Sequence, residues 1–217
     1  MAPTKNKRKS PKKPANLIKK QNQKQVWDTI APEWDRFRTK KEKWVENFLK
    51  KQKGKILDIG CGSGRYLMKL KDAKMYLVDF SEEMINLAKP KKIDAEFFVA
   101  DMTKLPFERN FFDSAICISS LHCIETKSKR QKAVKELFRV LKPGTICLIG
   151  VWNLKAKRFK NSPKEKYIGW TDKGQRYYYL YDEKEIHDLF RKTGFEILNS
   201  TLLKDMTYLL ARKPNLK

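Results

Sequence analysis

Histidine is scarce in this 217-residue chain: only His122 and His187 occur, and neither has close ligand company. The sequence therefore predicts no metal centre, and it offers no obvious nucleophile–base pair for covalent catalysis. The four cysteines form no C-x-x-C pair. Cys117 and Cys147 fall inside strand-like runs and read as reduced core thiols, while Cys61 sits among glycines, where a small residue suffices. No apolar run approaches the ~20 residues of a membrane-crossing helix, and the first residues lack the apolar core of a secretory signal. Acids are few as well: 25 Asp and Glu stand against 49 Lys and Arg, a net charge of +24.

The basic excess falls in two regions. Residues 1–25 carry nine Lys or Arg and no acid, among Pro, Asn and Gln. Residues 1–21 read as a disordered basic tail, and 22–217 as one folded domain long enough for a proper core. Beyond residue 25, 40 basic residues face 25 acidic ones, so the folded part is basic too. A basic body with a basic arm is the electrostatic footprint of a polyanion binder, most often a nucleic acid.

The densest information lies in Lys55-Ile56-Leu57-Asp58-Ile59-Gly60-Cys61-Gly62-Ser63-Gly64-Arg65-Tyr66. A short apolar run reads as a buried strand, enters glycines at alternate positions, and is followed by a helical pattern. Glycines let the backbone turn sharply and bring a ligand to the main chain. The spacing differs from the dinucleotide fingerprint, whose third glycine would fall at Arg65. A second run, Met75 to Val78, ends in Asp79, and a third, Glu96 to Ala100, ends in Asp101-Met102. A carboxylate closing the second strand suits ribose hydroxyls. Strands are expected at 55–60, 75–79, 95–100, 113–118 and 145–152, with helices at 65–72, 82–89 and 128–141. Two helices precede them, one over 22–36 interrupted near Ala31-Pro32 and one over 42–52. A lysine-rich stretch at 153–176 reads as a solvated loop. A short aromatic strand, a helix at 183–193 and a hairpin of 195–201 with 206–212 close the chain. Alternating strands and helices imply a parallel α/β sheet with its ligand at the strand tips, where Gly60, Asp79, Asp101, Ser119, His122 and Trp152 gather.

Acids at the tips of three consecutive strands, with Leu105-Pro106-Phe107, Phe112-Asp113 and Arg139-Val140-Leu141-Lys142-Pro143-Gly144, resemble class I S-adenosylmethionine (AdoMet) methyltransferases. The resemblance implies a Rossmann-like, mostly parallel seven-stranded sheet with a C-terminal antiparallel hairpin. It also implies AdoMet held by Asp58, Gly60, Gly62, Gly64, Asp79, Asp101, Met102 and Ser119. Asp79 would take the ribose and Asp101 would face the adenine amino group. The flanking segments Val26 to Trp34, Arg36 to Lys40, Ile118 to Ile124, Val151-Trp152, Gln175 to Tyr181 and Lys204 to Tyr208 are similar to a narrower family. Its members are the eukaryotic and archaeal tRNA methyltransferases that esterify 5-carboxymethyluridine at the wobble position. Arg38 and Lys40 fall on that family's R-Y-K-P-W segment, and His122 on the first histidine of its I-H-H element. Trp152 and Arg176-Tyr177-Tyr178 match directly. The chain departs from the pattern at Thr39, Lys41, Trp44 and Cys123.

A carboxylate ordinarily titrates near pH 4, with a pKa of about 4, so it is ionised at neutral pH and needs no general base to take a methyl group. The resemblance makes Arg38 and His122 the catalytic candidates, with Arg38 gripping the substrate carboxylate. Lys40, Trp152, Arg176, Tyr177 and Tyr178 become candidate substrate contacts, the two tyrosines by stacking on an extruded base. Other readings are a methyltransferase for a small acid or quinone precursor, and a non-catalytic AdoMet-fold scaffold that binds RNA. Expected partners are tRNA and, as the resemblance implies, a small zinc-binding activator subunit on the edge near Ala95 to Val99. The expected location is the cytoplasm, with the nucleus also open to a protein with such a tail.

Overall fold

The computed structural model describes residues 21–91 and 93–215. Nearly all of the basic tail lies outside the described residues. Seven strands form the main sheet: β1 (Gly54–Ile59), β2 (Ala73–Asp79), β3 (Ala95–Val99), β4 (Ser114–Ile118), β5 (Ile146–Trp152), β8 (Glu196–Leu203) and β9 (Met206–Arg212). Their order is β3-β2-β1-β4-β5-β9-β8. The first five run parallel, and β9 joins β5 antiparallel and pairs with β8 as the closing hairpin. This is the sheet the sequence predicts. The chain steps outward from β1 to β3 and returns to β4 on the other side of β1. The switch in direction opens a crevice between the C-terminal ends of β1 and β4.

Side chains alternate across the sheet. Leu57, Ile59, Ala115 and Cys117 face one apolar cluster, covered by helices α4 (Lys127–Val140) and α5 (Glu183–Thr193). Ile56, Leu77, Ile116 and Ile118 face a second cluster with Val45 and Leu49 of α2 (Lys43–Lys50) and Ile85 of α3 (Glu82–Ala88). Helix α1 (Gln23–Phe37) lies across the strand tips. Asn22 caps it by accepting from the amides of Lys24 and Gln25.

Three expectations fail for local physical reasons. No helix forms at 65–72, where the chain makes successive turns and then runs irregularly. The register sets Gly54 against Ala73, so the chain must return along the whole six-residue length of β1. That distance is about 20 Å, whereas eight helical residues rise only about 12 Å. An open segment spans it, and Val45 and Leu49 of α2 join Tyr66 and Leu67 over that part of the sheet. Second, α1 is not interrupted at Pro32 but runs through it. Pro32 is exposed, and the completely buried Ile30 and Ala31 anchor the turn before it. Apolar burial at about 25 cal/mol per Å² offsets much of the ~3 kcal/mol that an internal proline costs. Third, the 153–176 stretch is not a plain loop. It holds a short 3-10 turn that buries Phe159, then β6 (Glu165–Gly169), which pairs antiparallel with β7 (Gln175–Tyr179) as a separate hairpin.

Candidate active site

A cavity of about 780 Å³ opens at the crevice. Its floor is the glycine loop after β1. Gly60, Gly62 and Gly64 have φ of +66°, +55° and +77°, values that L side chains rarely adopt. At Gly60 a Cβ would fall 2.4 Å from both Cβ and Oγ of Ser120. The close approach has a purpose: Ser120 Oγ donates to the Gly60 carbonyl at 2.7 Å and pins the β4 loop to the glycine loop. At Gly62 a Cβ would meet nothing nearer than 3.9 Å, so there the loop faces open cavity. Gly64 packs inward against Ala88 and does not line the cavity. Ser119 lines it and also has a left-handed backbone, with φ of +64°. Such strain at a non-glycine residue clusters at functional sites.

The three strand-end acids differ in their surroundings. Asp79 lines the cavity and already accepts two backbone bonds, from Gly62 N–H at 2.8 Å and Ser81 N–H at 2.9 Å. Burial pushes its pKa up to about 6 against the pull of those amides. Asp101 also lines the cavity; one oxygen accepts from Thr103 N–H at 2.8 Å. Asp58 lies behind the loop, buried, with Oδ2 unpartnered. Burial lifts its pKa to about 7, opposed by Arg65. Unlike the other two acids, Asp58 does not itself line the cavity. Met102 also lines the cavity, with its Cε near Gly60.

Trp34 of α1 and Arg38, which caps that helix, also line the cavity. The Arg38 guanidinium lies 4.8 Å from the centre of the Trp34 ring. Arg38 as a residue is exposed, yet desolvation of its head group is the leading cause that draws its pKa below the usual arginine value. Tyr178 opposes that shift, while the like charges of Arg65, Arg176 and Arg158 add to it. Of these four guanidiniums only Arg158 has a carboxylate in ion-pair range among the described residues, Asp205 at 3.6 Å. Arg176 is 4% exposed and caged by the rings of Trp27, Trp34 and Trp170 at 5.8, 5.3 and 4.8 Å. It donates to Tyr178 Oη at 2.8 Å and leaves Nε unpartnered. Cations gathered without counter-charge describe a site for an anion.

Other sequence candidates stand further back. His122 is 1% exposed and does not reach the cavity. Its Nδ1 accepts from Trp152 N–H at 3.2 Å, and its ring stacks on Trp152. Burial drives its pKa down to about 3, so the ring is neutral and unsuited to move a proton. Trp152 and Tyr178 stack at 4.2 Å in the same buried group. Tyr177 points to the other side of β7, where its hydroxyl accepts from Arg130. Neither tyrosine is open to stack on a base: each is 2% exposed, because alternation in β7 sends Tyr177 and Tyr178 into two different clusters. Lys40 is exposed outside the cavity. Sequence reasoning missed Arg65 and Arg158, although Arg65 directly follows the third loop glycine.

Residues 57–149 match the family model described as a methyltransferase domain. A tRNA (carboxymethyluridine(34)-5-O)-methyltransferase of Arabidopsis thaliana is 39% identical over 137 residues, 62% of this chain and 33% of that protein. The chain thus spans about a third of that relative's length. A protein of the same name from Schizosaccharomyces pombe is 28% identical over 219 residues, covering 87% of this chain and 95% of the relative. Among solved folds, a Haloferax volcanii methyltransferase in complex with the Trm112 methyltransferase activator superposes with a TM-score of 0.68. It is 18% identical and covers 87% of this chain and 98% of its own.

Proposed function

We propose that this chain is a class I AdoMet-dependent methyltransferase and that it methylates the carboxylate of a 5-carboxymethyl uridine at the wobble position of tRNA. AdoMet supplies an electrophilic methyl group on a sulfonium. Its adenosine end suits the rim made by Asp79 and Asp101, and its methionine end the cradle of Gly60 and Gly62 with Asp58 behind. The observation that carries the substrate reading is that Arg38 and Arg65 line this cavity with no carboxylate in ion-pair range among the described residues, while Arg176 is buried against Trp34, another lining residue. The buried, neutral state of His122 agrees with a substrate that arrives already ionised. What remains for the protein is to align oxygen, methyl carbon and sulfur, a contribution of roughly 7–11 kcal/mol. The decisive experiment is incubation with labelled AdoMet and tRNA from cells lacking this protein, followed by nucleoside analysis. A methyl ester of carboxymethyluridine is the expected product; label on any other nucleoside, or none, would refute the assignment.

A tRNA substrate accounts for the basic excess and agrees with work in the cytoplasm. Among the described residues no helix is long and apolar enough to cross a membrane. Affinity for tRNA is expected to fall linearly with salt on logarithmic axes, because each phosphate contact releases counterions. Deleting residues 1–20 should lower that slope and weaken RNA binding while AdoMet affinity stays the same. Binding indifferent to salt would count against a nucleic-acid substrate.

The reading includes a small activator subunit on β3. This strand is an edge, pairing only with β2, and Val99 on it is 48% exposed. Open edges invite pairing with another chain. The archaeal methyltransferase solved with its activator supports such a partner. Co-expression with the activator of the same cells is expected to raise soluble yield and turnover; full activity of the chain alone would remove the need for it.

A further inference from the structure

The buried positions of Tyr177 and Tyr178 leave the proposed RNA without a stacking surface, and the end of α1 offers a different one. Phe37, in the last turn of that helix, is 72% exposed, the most open of the large apolar side chains among the described residues. Its ring centre lies 6.0 Å from that of Trp170, at the turn of the β6–β7 hairpin. Trp170 is half-buried and continues the row to Trp34 at 5.5 Å, which lines the cavity. The platform is held rigid. Trp170 Nε1 donates to Glu33 at 2.6 Å, and Lys173 pairs with the other oxygen of the same carboxylate, which ties the hairpin to α1.

Cations border these rings. Arg38 follows Phe37 directly and lies over Trp34, Arg176 lies behind Trp170, and Arg36 and Lys40 are exposed on either side in sequence. An exposed Phe37 ring, set edge-on at 66° to half-buried Trp170 and beside guanidiniums with no carboxylate in ion-pair range among the described residues, has the two elements of a single-strand nucleic-acid site: a ring face for a base and cations for its phosphate.

We infer that Phe37 and Trp170 form a stacking platform for an unpaired nucleobase next to the nucleotide whose modified base enters the cavity. This inference rests on the tRNA reading above and adds how the loop is held at the mouth.

The test uses the full chain, AdoMet and an anticodon stem–loop RNA bearing 5-carboxymethyluridine. Phe37→Ala is expected to raise the Kd for this RNA about tenfold, the scale of one lost base–aromatic stack. Phe37→Tyr should bind like the wild type. Phe37→Leu should behave like the alanine variant, because an apolar chain without a ring does not stack. Tm and AdoMet affinity should hold in all three, since Phe37 lies outside the core clusters. RNA binding should also quench tryptophan fluorescence, and less so in Trp170→Phe. If Phe37→Ala and Phe37→Leu bind the RNA as tightly as the wild type, the platform is refuted while the methyltransferase reading stands. If the RNA binds with the expected dependence on Phe37 but no methyl ester forms, the platform stands and the substrate reading falls. Failure of the wild type to bind the RNA would overturn both.

Discussion

Asp79→Ala is expected to weaken AdoMet binding by about a hundredfold, on the order of 3 kcal/mol. Two effects act together. On the proposed reading the variant loses the acceptor for two ribose hydroxyls, and charge-assisted hydrogen bonds contribute roughly 1.5–3 kcal/mol each. It also frees the amides of Gly62 and Ser81, which the carboxylate holds at 2.8 and 2.9 Å, so the glycine loop loses its brace. Asp79→Asn separates these effects. It keeps the shape and one acceptor but removes the charge, and an intermediate loss of affinity is expected. Calorimetry with AdoMet measures both variants, and unchanged affinity in a folded protein would sink the assignment. The same side chains set the pH response. Without ligand, burial keeps the pKa of Asp79 at about 6 and that of Asp58 at about 7, above their ordinary value of 3.8. Folded pKa values raised in this way favour the protonated forms. Their contribution to stability is therefore present below the ordinary value and is lost as pH rises through 6 and 7. A cationic ligand has the opposite preference, for ionised carboxylates. AdoMet binding should release protons in this window and tighten as pH rises through it. Titration in buffers of different ionisation enthalpy reads that release directly.

Much of the frame was legible because strand tips and glycine loops impose strict local demands. Gly60 must be glycine on two counts, its φ of +66° and the 2.4 Å contact any Cβ would make with Ser120. Such positions show in a bare sequence. The five parallel strands and the closing hairpin were legible from short apolar runs with acids at their ends. The segment 65–72 was not, because its apolar spacing suits a helix while the distance it must span does not. That distance is a property of the register between β1 and β2. The tyrosines of β7 were misjudged for a related reason. Strand alternation alone sends Tyr177 and Tyr178 to opposite faces, but only the placement of a second hairpin, between α1 on one side and α4 on the other, buries both. His122 kept its place on the loop after β4, yet the hydrogen bond from Trp152 turns its ring into a buried prop. Side-chain direction of this kind arises from tertiary packing and leaves no mark in the order of residues.

Arg38→Ala is expected to cut turnover on carboxymethyluridine-bearing tRNA by about a hundredfold or more while leaving AdoMet affinity within about twofold. The split follows from placement. Arg38 caps the end of α1 against Trp34 and has no hydrogen bond to Asp79 or Asp101. With it gone, Arg65 and Arg176 still supply positive potential, so the carboxylate should still be attracted. What disappears is the fork that fixes which oxygen faces the methyl group, and alignment is where most of the rate arises. Arg38→Lys should therefore rescue only part of the loss, because an ammonium restores charge without planar geometry. Negative charge vanishes from the substrate as the ester forms, so a grip on the ground-state anion that is too tight would slow the reaction. The shared field of four guanidiniums bears on this point. Arg65, Arg176 and Arg158 all add to the lowering of the Arg38 pKa, so Arg38 is not the only cation that a bound carboxylate would meet. Arg38 is then free to act in orientation more than in binding. The variant should lower kcat more than it raises KM for tRNA. A pure KM effect would make Arg38 one more phosphate contact, and equal methylation of tRNA bearing unmodified uridine would defeat the carboxylate mechanism altogether.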